Sequence, residues 1–309
     1  MEKLHFYLPE PMRSDAARGE VNVINRILAA LPGWKAVWHP DTPSERLRAP
    51  GREGYGLWHM QTAPDPRGLC LRRAYWYPFW TLDRHNERWL TDTAQAVYDP
   101  ATVDPEAART FYRRWRRKLL GEGKPQRAGF VFVPLQGRLF EHRSFQAASP
   151  LAMIEAVLDH DPRPVRVTLH PHPKEPYTEA ERRAVAALVT RHPRLTLDTA
   201  PSEALLMACD LVVTQNSSTA LTGFFAGKPA VLFAGTDFHH IAGSVPRDGL
   251  GAAFEKARGP MPDPARYLYW FLQMQAINAG ATDAEARIRA RLAALGWPVP
   301  SEGAGDPGL

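Results

Sequence analysis

The chain has 309 residues, of which 44% are hydrophobic and 23% are charged, a balance that is typical of a folded globular protein and excludes general disorder. Two cysteines, Cys70 and Cys209, are too few for a disulfide framework or a cysteine-rich metal site. The formal charge of +5 is uneven, because residues 1–130 hold 21 Lys and Arg against 15 Asp and Glu, and the remainder holds 17 against 18. The positive part favours phosphates, acidic glycans or an anionic membrane surface as partners, although biased base composition in an Arg- and Ala-rich chain would give the same excess.

Neither a membrane-spanning helix nor a secretory signal is predicted. Apolar runs stay shorter than the roughly 18 residues that a spanning helix needs. The first apolar run stops at Pro9, too early for the apolar core of a signal peptide. We therefore expect a cytoplasmic protein.

Residues 1–120 predict a compact α/β domain. Apolar and aromatic runs predict strands, and apolar spacing of three and four residues predicts an amphipathic helix; the strands are at 3–8, 35–39 and 56–60, and the helix is at 20–31. Aromatic residues crowd into residues 70–90. Such crowding is typical of core or interdomain packing, with a sugar-stacking or membrane-facing patch as the alternative.

A basic helix is predicted at Pro105–Leu120, because Phe111, Trp115 and Leu119 recur at four-residue spacing. Cations cover much of its remaining surface: Arg113, Arg114, Arg116, Arg117 and Lys118. They form either a solvated face or a contact surface for an anionic membrane or an acidic glycan. Residues 121–129, rich in Gly with a single Pro, predict a linker.

After the linker, strands alternate regularly with helices. The predicted strands are 130–135, 165–169, 195–197, 211–214 and 230–233, and the predicted helices are 150–158, 179–191, 202–209 and 218–226, followed by two helices around 263–278 and 283–295. This alternation predicts a parallel sheet covered on both faces. We divide the chain into an N-terminal domain (1–120), a linker (121–129), a second α/β domain (130–262), and C-terminal helices with a tail (263–309).

Ligands of open parallel sheets bind beyond the carboxyl ends of the strands, and four of these ends carry polar clusters. The clusters are Gln136, His170–Lys174, Gln215–Thr219 and Gly235–His240. The segment Asn216–Thr219 opens a helix. Its hydroxyls either cap the helix or help the helix amides to hold a phosphate.

The His-Pro sequence at 170–173 extends from a strand end and can present an imidazole to a phosphate. A metal site is not predicted, because no cysteine or acidic third ligand follows at the usual spacing; His239 and His240 are the residues that would have to complete one. The phosphate-binding motifs GxxxxGK[ST] and GxGxxG and the nucleophile motif GxSxG are absent from the sequence. Nucleotide kinases, nicotinamide dehydrogenases and α/β-hydrolases therefore lose support.

Five segments in the same order resemble the capsule polysaccharide biosynthesis proteins, which include the β-Kdo glycosyltransferases and are similar in arrangement to several bacterial sialyltransferases. The segments are Pro134–Gln136, His170–Pro173, Asn216–Gly235 (NSSTALTGFFAGKPAVLFAG), Phe238–Gly243 and Tyr267–Ile277. The resemblance covers residues 130–275, about half of the chain, and the preceding residues resemble no particular family.

The resemblance implies a GT-B architecture, in which two Rossmann-like domains with parallel sheets face each other across a cleft and the C-terminal domain binds most of the nucleotide-sugar. In the family, the His-Pro motif and the Ser pair hold the donor phosphate of a CMP-sugar. These roles fall here to His172 and to Ser217 with Ser218. The donor-binding set that follows from the strand ends and the resemblance is Gln136, His170, His172, Lys174, Asn216, Ser217, Ser218, Thr219 and His240.

Three positions depart from the family pattern. His170 stands where the family usually has Lys, and Thr222 stands where it has the Glu that contacts the nucleotide ribose. Phe140 stands where it has the acid that acts as general base. The nearest carboxylate is that of Glu141, so either Glu141 is the catalytic base or the acceptor or the chemistry has changed.

We therefore predict a glycosyltransferase of surface polysaccharide assembly that transfers Kdo or a similar acidic sugar from CMP to a saccharide or lipid-linked acceptor. It would act by inversion without metal or cofactor, with the basic N-terminal part facing the acceptor. It would be cytoplasmic, with the helix at 105–120 as a candidate contact with the inner membrane, and would bind no nucleic acid. Two alternatives stay open: a GT-B enzyme that uses a UDP- or GDP-sugar, and a non-catalytic polysaccharide-binding or assembly protein.

Overall fold

The computed structural model describes residues 1–169 and 175–299. These residues belong to two compact units, Met1–Gln95 with Phe271–Leu309 and Ala96–Trp270. The limits differ from the predicted domains of 1–120, 130–262 and 263–309. The basic helix packs within the second unit, and the C-terminal residues return to the sheet of the first.

Twelve strands and thirteen α-helices are numbered here in chain order over the described residues. The strands are β1 Lys3–Leu8, β2 Lys35–Pro40, β3 Tyr55–His59, β4 Gly68–Arg73, β5 Phe79–Asp83, β6 Val131–Leu135, β7 Val165–Leu169, β8 Leu195–Leu197, β9 Leu211–Thr214, β10 Ala230–Leu232, β11 Gly243–Ser244 and β12 Ile277–Asn278. The helices are α1 Met12–Ala17, α2 Asn22–Ala30, α3 Pro43–Arg48, α4 Asp92–Gln95, α5 Pro105–Leu120, α6 Pro150–His160, α7 Glu179–Arg191, α8 Ser202–Ala208, α9 Ser218–Phe225, α10 Val245–Asp248, α11 Leu250–Arg258, α12 Pro264–Tyr269 and α13 Ala284–Ala294.

The first unit contains a six-stranded sheet in the order β2-β1-β3-β4-β5-β12. Strands β1 to β4 are parallel, and β5 and β12 run antiparallel to their neighbours. Helix α2 is amphipathic and buries one side, with Val23, Ile24 and Ile27 in the same core as β1. Burial of such side chains, at about 1.5–3 kcal/mol each, holds the helix on the sheet.

The second unit contains a wholly parallel sheet in the order β8-β7-β6-β9-β10-β11. All five residues of β6 are buried, as expected for a central strand covered by helices on both faces. Numbered within the unit, the strand order is 3-2-1-4-5-6, which is that of dinucleotide-binding α/β folds. The chain changes direction across the sheet between β6 and β9, which is where such folds bind ligands.

The predicted α/β class with two mostly parallel sheets is confirmed. The segment at 70–90 contains the end of strand β4 and the whole of its antiparallel neighbour β5, which the sequence did not predict as separate strands. It buries Phe79 and Trp80 and leaves Tyr77 exposed. The helix predicted at 263–278 is shorter: α12 ends at Tyr269, a π-helical turn covers Trp270–Met274, and β12 follows.

Within residues 1–169 and 175–299, no helix is both long enough and apolar enough to cross a membrane.

Candidate functional site at the carboxyl ends of the second sheet

Polar side chains connect the carboxyl ends of three neighbouring strands, β6, β9 and β10. The Asn216 backbone N–H after β9 donates to Gln136 Oε1 after β6 at 3.5 Å. The Asn216 side-chain amide donates to the carbonyl of Gly235 after β10 at 3.3 Å. Gln215 is buried and donates to the carbonyl of Ala148 at 3.0 Å. Gln136 and Asn216, both predicted as donor-binding residues, therefore meet at the switch point of the sheet.

The hydroxyls at the start of α9 have different tasks. Ser217 is the N-cap residue: its Oγ accepts from the Thr219 N–H at 3.2 Å and donates to Thr219 Oγ1 at 3.0 Å. Ser218 is exposed, and its hydroxyl forms no hydrogen bond with a described residue. The Ser217 and Thr219 hydroxyls are thus used in capping, whereas the Ser218 hydroxyl is available to a ligand near the positive end of the helix dipole.

A cavity of about 180 Å³ lies beside the start of α9 and joins residues of α5, α8 and α9. Its walls are Leu119, Leu120, Ser202, Glu203, Leu206, Ser218, Thr219 and Thr222. Glu203 and Leu120 also line a cavity of about 470 Å³, together with Gly123, Lys124, Gln126, Pro201, Ala204, Met207 and Ala208. The smaller cavity combines apolar walls with hydroxyls and the Glu203 carboxylate, and the larger one combines apolar walls with Glu203, Lys124 and Gln126.

Sequence reasoning missed Glu203. Its carboxylate is exposed and forms no ion pair with a described residue. The feature that could have identified Glu203 from the sequence is its position in the first turn of the predicted helix, α8. Because α8 precedes the parallel strand β9, its first turn lies at the same sheet edge as the start of α9.

The predicted donor residues His170, His172 and Lys174 lie outside the described residues, so their roles stay predictions. Strand β7, which leads into them, pairs with β6 over its whole length, and Leu135 is in register with Leu169.

An ion-pair chain follows β6. Arg138 contacts Glu141 at 3.2 Å through Nη1 and Glu175 at 3.2 Å through Nε. Arg143 also reaches Glu175, at 3.6 Å. The Glu141 side chain is 51% exposed and that of Glu175 25%, so Glu141, the predicted base, is the more accessible carboxylate. Its catalytic role stays a prediction.

The backbone that carries this chain is held in an unusual conformation. Arg138 has a φ of +62°, which disfavours a residue with a Cβ and costs on the order of 1 kcal/mol. A Cβ on Gly137 would lie 2.7 Å from the carbonyl oxygen of Glu175, so glycine is required for this close approach. The buried Glu181 carboxylate accepts from the Leu139 N–H and fixes the next residue of the loop. Sequence reasoning missed Arg138 and Glu175, because no local pattern marks a positive φ at arginine.

His240, the last predicted donor residue, is engaged within the protein. Its Nε2 lies 3.1 Å from the carbonyl of Ala96 and its Nδ1 lies 3.2 Å from the hydroxyl of Tyr267. A carbonyl only accepts, so Nε2–H donates and Nδ1 accepts from Tyr267, which fixes a neutral tautomer. The prediction that His240 binds donor stays untested, and the geometry gives the ring a structural task as well.

The protonation of His240 predicts a pH dependence of stability. Burial, followed by the charges of His239, Arg247 and Lys256, lowers the pKa of His240 to about 3. Below the unfolded pKa of about 6.5, the unfolded chain therefore binds a proton that the native ring does not bind. The contribution of the neutral ring to the unfolding free energy is fully present above that pKa and is lost as the pH falls towards 3. Between about pH 7.5 and 5.5, we expect the unfolding free energy of the wild type to fall by about 1 kcal/mol more than that of His240→Gln.

Urea unfolding at the two pH values measures this difference. The exposed His85 in the first unit offers a comparison variant, His85→Gln, which removes an imidazole outside the surroundings of His240. Equal pH dependence in wild type and His240→Gln would contradict the neutral state assigned to the native ring.

Among residues 1–169 and 175–299, no three His, Cys, Asp or Glu side chains are grouped so that they could hold a metal ion. The predicted metal independence stays a prediction, since His170 and His172 lie outside that part of the chain.

Comparison with known protein families decides the broader assignment. Residues 109–278, more than half of the chain, match the family described as capsule polysaccharide biosynthesis protein. The chain belongs to this family. The resemblance predicted from the five sequence segments is thereby confirmed. No curated protein matches the sequence.

Solved structures include similar folds. The β-Kdo 2,7 transferase of KpsC from Thermosulfurimonas dismutans is 14% identical and aligns over 96% of this chain and 99% of its own with a TM-score of 0.53. The β-Kdo 2,4 transferase of the same KpsC is 13% identical over 85% of this chain and 88% of its own, with a TM-score of 0.46. The first alignment spans both units of this capsule polysaccharide biosynthesis protein, and confirms the predicted GT-B-like class with two Rossmann-like domains.

Proposed function

We propose that this chain is a glycosyltransferase of capsule polysaccharide biosynthesis that transfers a sugar from a nucleotide donor to a glycan acceptor. The observation that carries the proposal is the constellation at the switch point of the second sheet. There, Gln136 and Asn216 connect three strand ends. Two residues after Asn216, the Ser218 hydroxyl lines a cavity beside the start of α9 together with the Glu203 carboxylate. Family membership and the fold agree with this activity.

The donor in this proposal is a CMP-linked acidic sugar, most simply Kdo. Its phosphate would take hydrogen bonds from Ser218, from the first amides of α9 and from the predicted His172. The Glu203 carboxylate, which accepts only, suits the two neighbouring hydroxyls of a ribose. Glu203 would thereby supply from α8 the contact that Thr222 on α9 cannot make, since both line the same cavity.

The reaction in this proposal is an inverting displacement with Glu141 as the base. The Glu141 carboxylate takes the proton of an acceptor hydroxyl, whose oxygen forms a bond to the anomeric carbon of the donor sugar. The bond between that carbon and the phosphate oxygen breaks, and the nucleotide leaves with the electron pair, its charge stabilised by the phosphate contacts. Arg138 orients Glu141 and is itself held by Glu175.

A nucleotide screen tests the proposal. Thermal shift and calorimetry with CMP, UDP and GDP should show that CMP stabilises the protein, because a ligand of the native state raises its melting temperature. Tighter binding of UDP or GDP than of CMP would instead assign a UDP- or GDP-sugar as the donor. Failure of all three to bind would remove the donor site.

A non-catalytic polysaccharide-binding or assembly protein is the second candidate. The replacement of the family acid by Phe140 and the ion pair between Glu141 and Arg138 favour it. It predicts that CMP binds but that a CMP-sugar is neither transferred to an acceptor nor hydrolysed. Formation of a glycoside product would exclude it.

A further inference from the structure

One short segment accounts for the net positive charge of the protein. Residues 105–129 contain eight Lys and Arg but only two Asp and Glu, a formal charge of +6. The chain as a whole carries +5, so all other residues together sum to −1. A charge focused in this way creates a local potential that the average composition does not give.

Helix α5 sorts these cations onto its outer side. Ala108, Phe111, Trp115 and Leu120 are buried, and the hydroxyl of Tyr112 donates to the carbonyl of Phe225 at 2.8 Å, which fixes the helix on its own unit. The exposed cations of the helix, which we call the basic face, are Arg109, Arg113, Arg114, Arg117 and Lys118.

Most of the basic face is not neutralised by the protein. Arg109, Arg113 and Arg114 form no ion pair with a described residue. Arg117 contacts Glu122 at 2.8 Å, but both side chains are more than 70% exposed, and such pairs contribute little. The basic face therefore retains most of its positive charge, which can attract an anionic partner.

The shape of the basic face indicates an extended partner. Arg109, Arg113 and Arg117 recur every four residues along about 12 Å of helix, so their charges form a line on a convex surface and do not converge on one anion. Apart from the cations, the exposed positions of the helix are Pro105, Glu106 and Thr110. Acidic glycans are recognised by stacking on aromatic rings besides charge, and the exposed positions of α5, all of which the structure describes, include no aromatic residue.

We propose that the basic face docks this protein on an anionic lipid bilayer. The contact is electrostatic, because the apolar side of α5 is already buried in the protein and has nothing to insert. Clusters of Lys and Arg bind anionic lipid surfaces in this way, and the attraction decays within about a Debye length. Glycan-bearing lipids in such a bilayer would be brought near a protein of this family.

Vesicle binding tests the proposal with a matched control. The test variant carries Arg113→Gln, Arg114→Gln and Arg117→Gln, and the control carries Arg182→Gln, Arg183→Gln and Arg191→Gln on α7. Both sets remove three exposed arginines from one helix of the second unit, and each includes one exposed ion pair, the control pair being Arg191 with Glu155. The two variants therefore have equal net charge and differ in where it lies.

Flotation with phosphatidylcholine vesicles, with and without about 30% phosphatidylglycerol, gives the readout. We expect the wild type and the control to bind only the anionic vesicles, and the test variant to bind them roughly tenfold or more weakly. Raising the salt from about 0.1 M to 0.5 M should release the wild type. Circular dichroism checks that both variants are folded, and an Arg-to-Lys version of the test variant should restore binding.

Three results would overturn the proposal. Equal loss in the test and control variants would show that net charge, and not the basic face, governs binding. Absence of vesicle binding by the wild type would reject the membrane as partner, and binding of a soluble acidic polysaccharide that the test variant loses would assign the face to a glycan.

Discussion

Replacing Glu141 with Gln is expected to lower turnover by about 10²-fold or more and to leave donor affinity unchanged, as removal of a general base does. Gln keeps the size of the side chain and can still accept a hydrogen bond from Arg138, but it cannot take the acceptor proton. Steady-state kinetics with a CMP-sugar and calorimetry with CMP separate the two effects. Near-normal turnover of Glu141→Gln would remove Glu141 from the mechanism.

Glu175→Gln is the comparison for this experiment. Glu175 contacts Arg138 and Arg143 and is half as exposed as Glu141, so in the proposed mechanism it positions the loop and is not the base. We expect a smaller loss of turnover, on the order of tenfold, because the loop loses order while the base remains. A larger loss of turnover in Glu175→Gln than in Glu141→Gln would make Glu175 the base and Glu141 the positioning residue.

Local patterns account for the elements that the sequence predicts well. Helix α5 has the bounds that the sequence predicts, because Asp104 accepts from the Glu106 and Ala107 N–H groups and Pro105 opens the helix. Gly121, with a φ of +67°, ends it. Strand β6 is a continuous apolar run, as a strand covered on both faces requires.

Non-local contacts account for what the sequence does not predict. Strand β12 pairs with β5 across almost two hundred residues, with Ile277 opposite Trp80, and no local pattern indicates this return. The turn between β4 and β5 contains Tyr75 with a φ of +65°, where a glycine or asparagine would have marked a hairpin. Its aromatic residues therefore indicated packing without revealing the strands.

The candidate site likewise contains residues that the sequence predicted and residues that it did not. The rule that ligands bind beyond parallel strand ends predicted Gln136 and Asn216, and the structure brings them together. The rule does not predict side chains that depend on loop conformation or on a second helix. Arg138, which contacts Glu175, lies in a loop where its φ is positive, and Glu203 reaches the cavity from α8.

Ser218 and its neighbour Ser217 provide the second prediction, in which one hydroxyl affects binding and the other affects stability. The Ser218 hydroxyl has no partner among the described residues and lines the cavity at the start of α9. Ser218→Ala should therefore weaken CMP binding by about 1–3 kcal/mol, the range for losing a hydrogen bond to a charged group, and leave the unfolding free energy unchanged. His172→Ala is expected to weaken CMP binding by a similar amount, about 1–3 kcal/mol, and His170→Ala by less.

Ser217→Ala is the matched control, because Ser217 is the adjacent residue and loses the same atom. Its hydroxyl caps α9 through Thr219, so its removal should cost about 1 kcal/mol of unfolding free energy, as the loss of an N-cap does. Calorimetry with CMP and urea unfolding of the two variants distinguish the tasks. If Ser218→Ala bound CMP as tightly as the wild type, the phosphate contact at α9 would be wrong. If Ser218→Ala were instead the less stable variant, the capping role assigned to Ser217 would belong to Ser218.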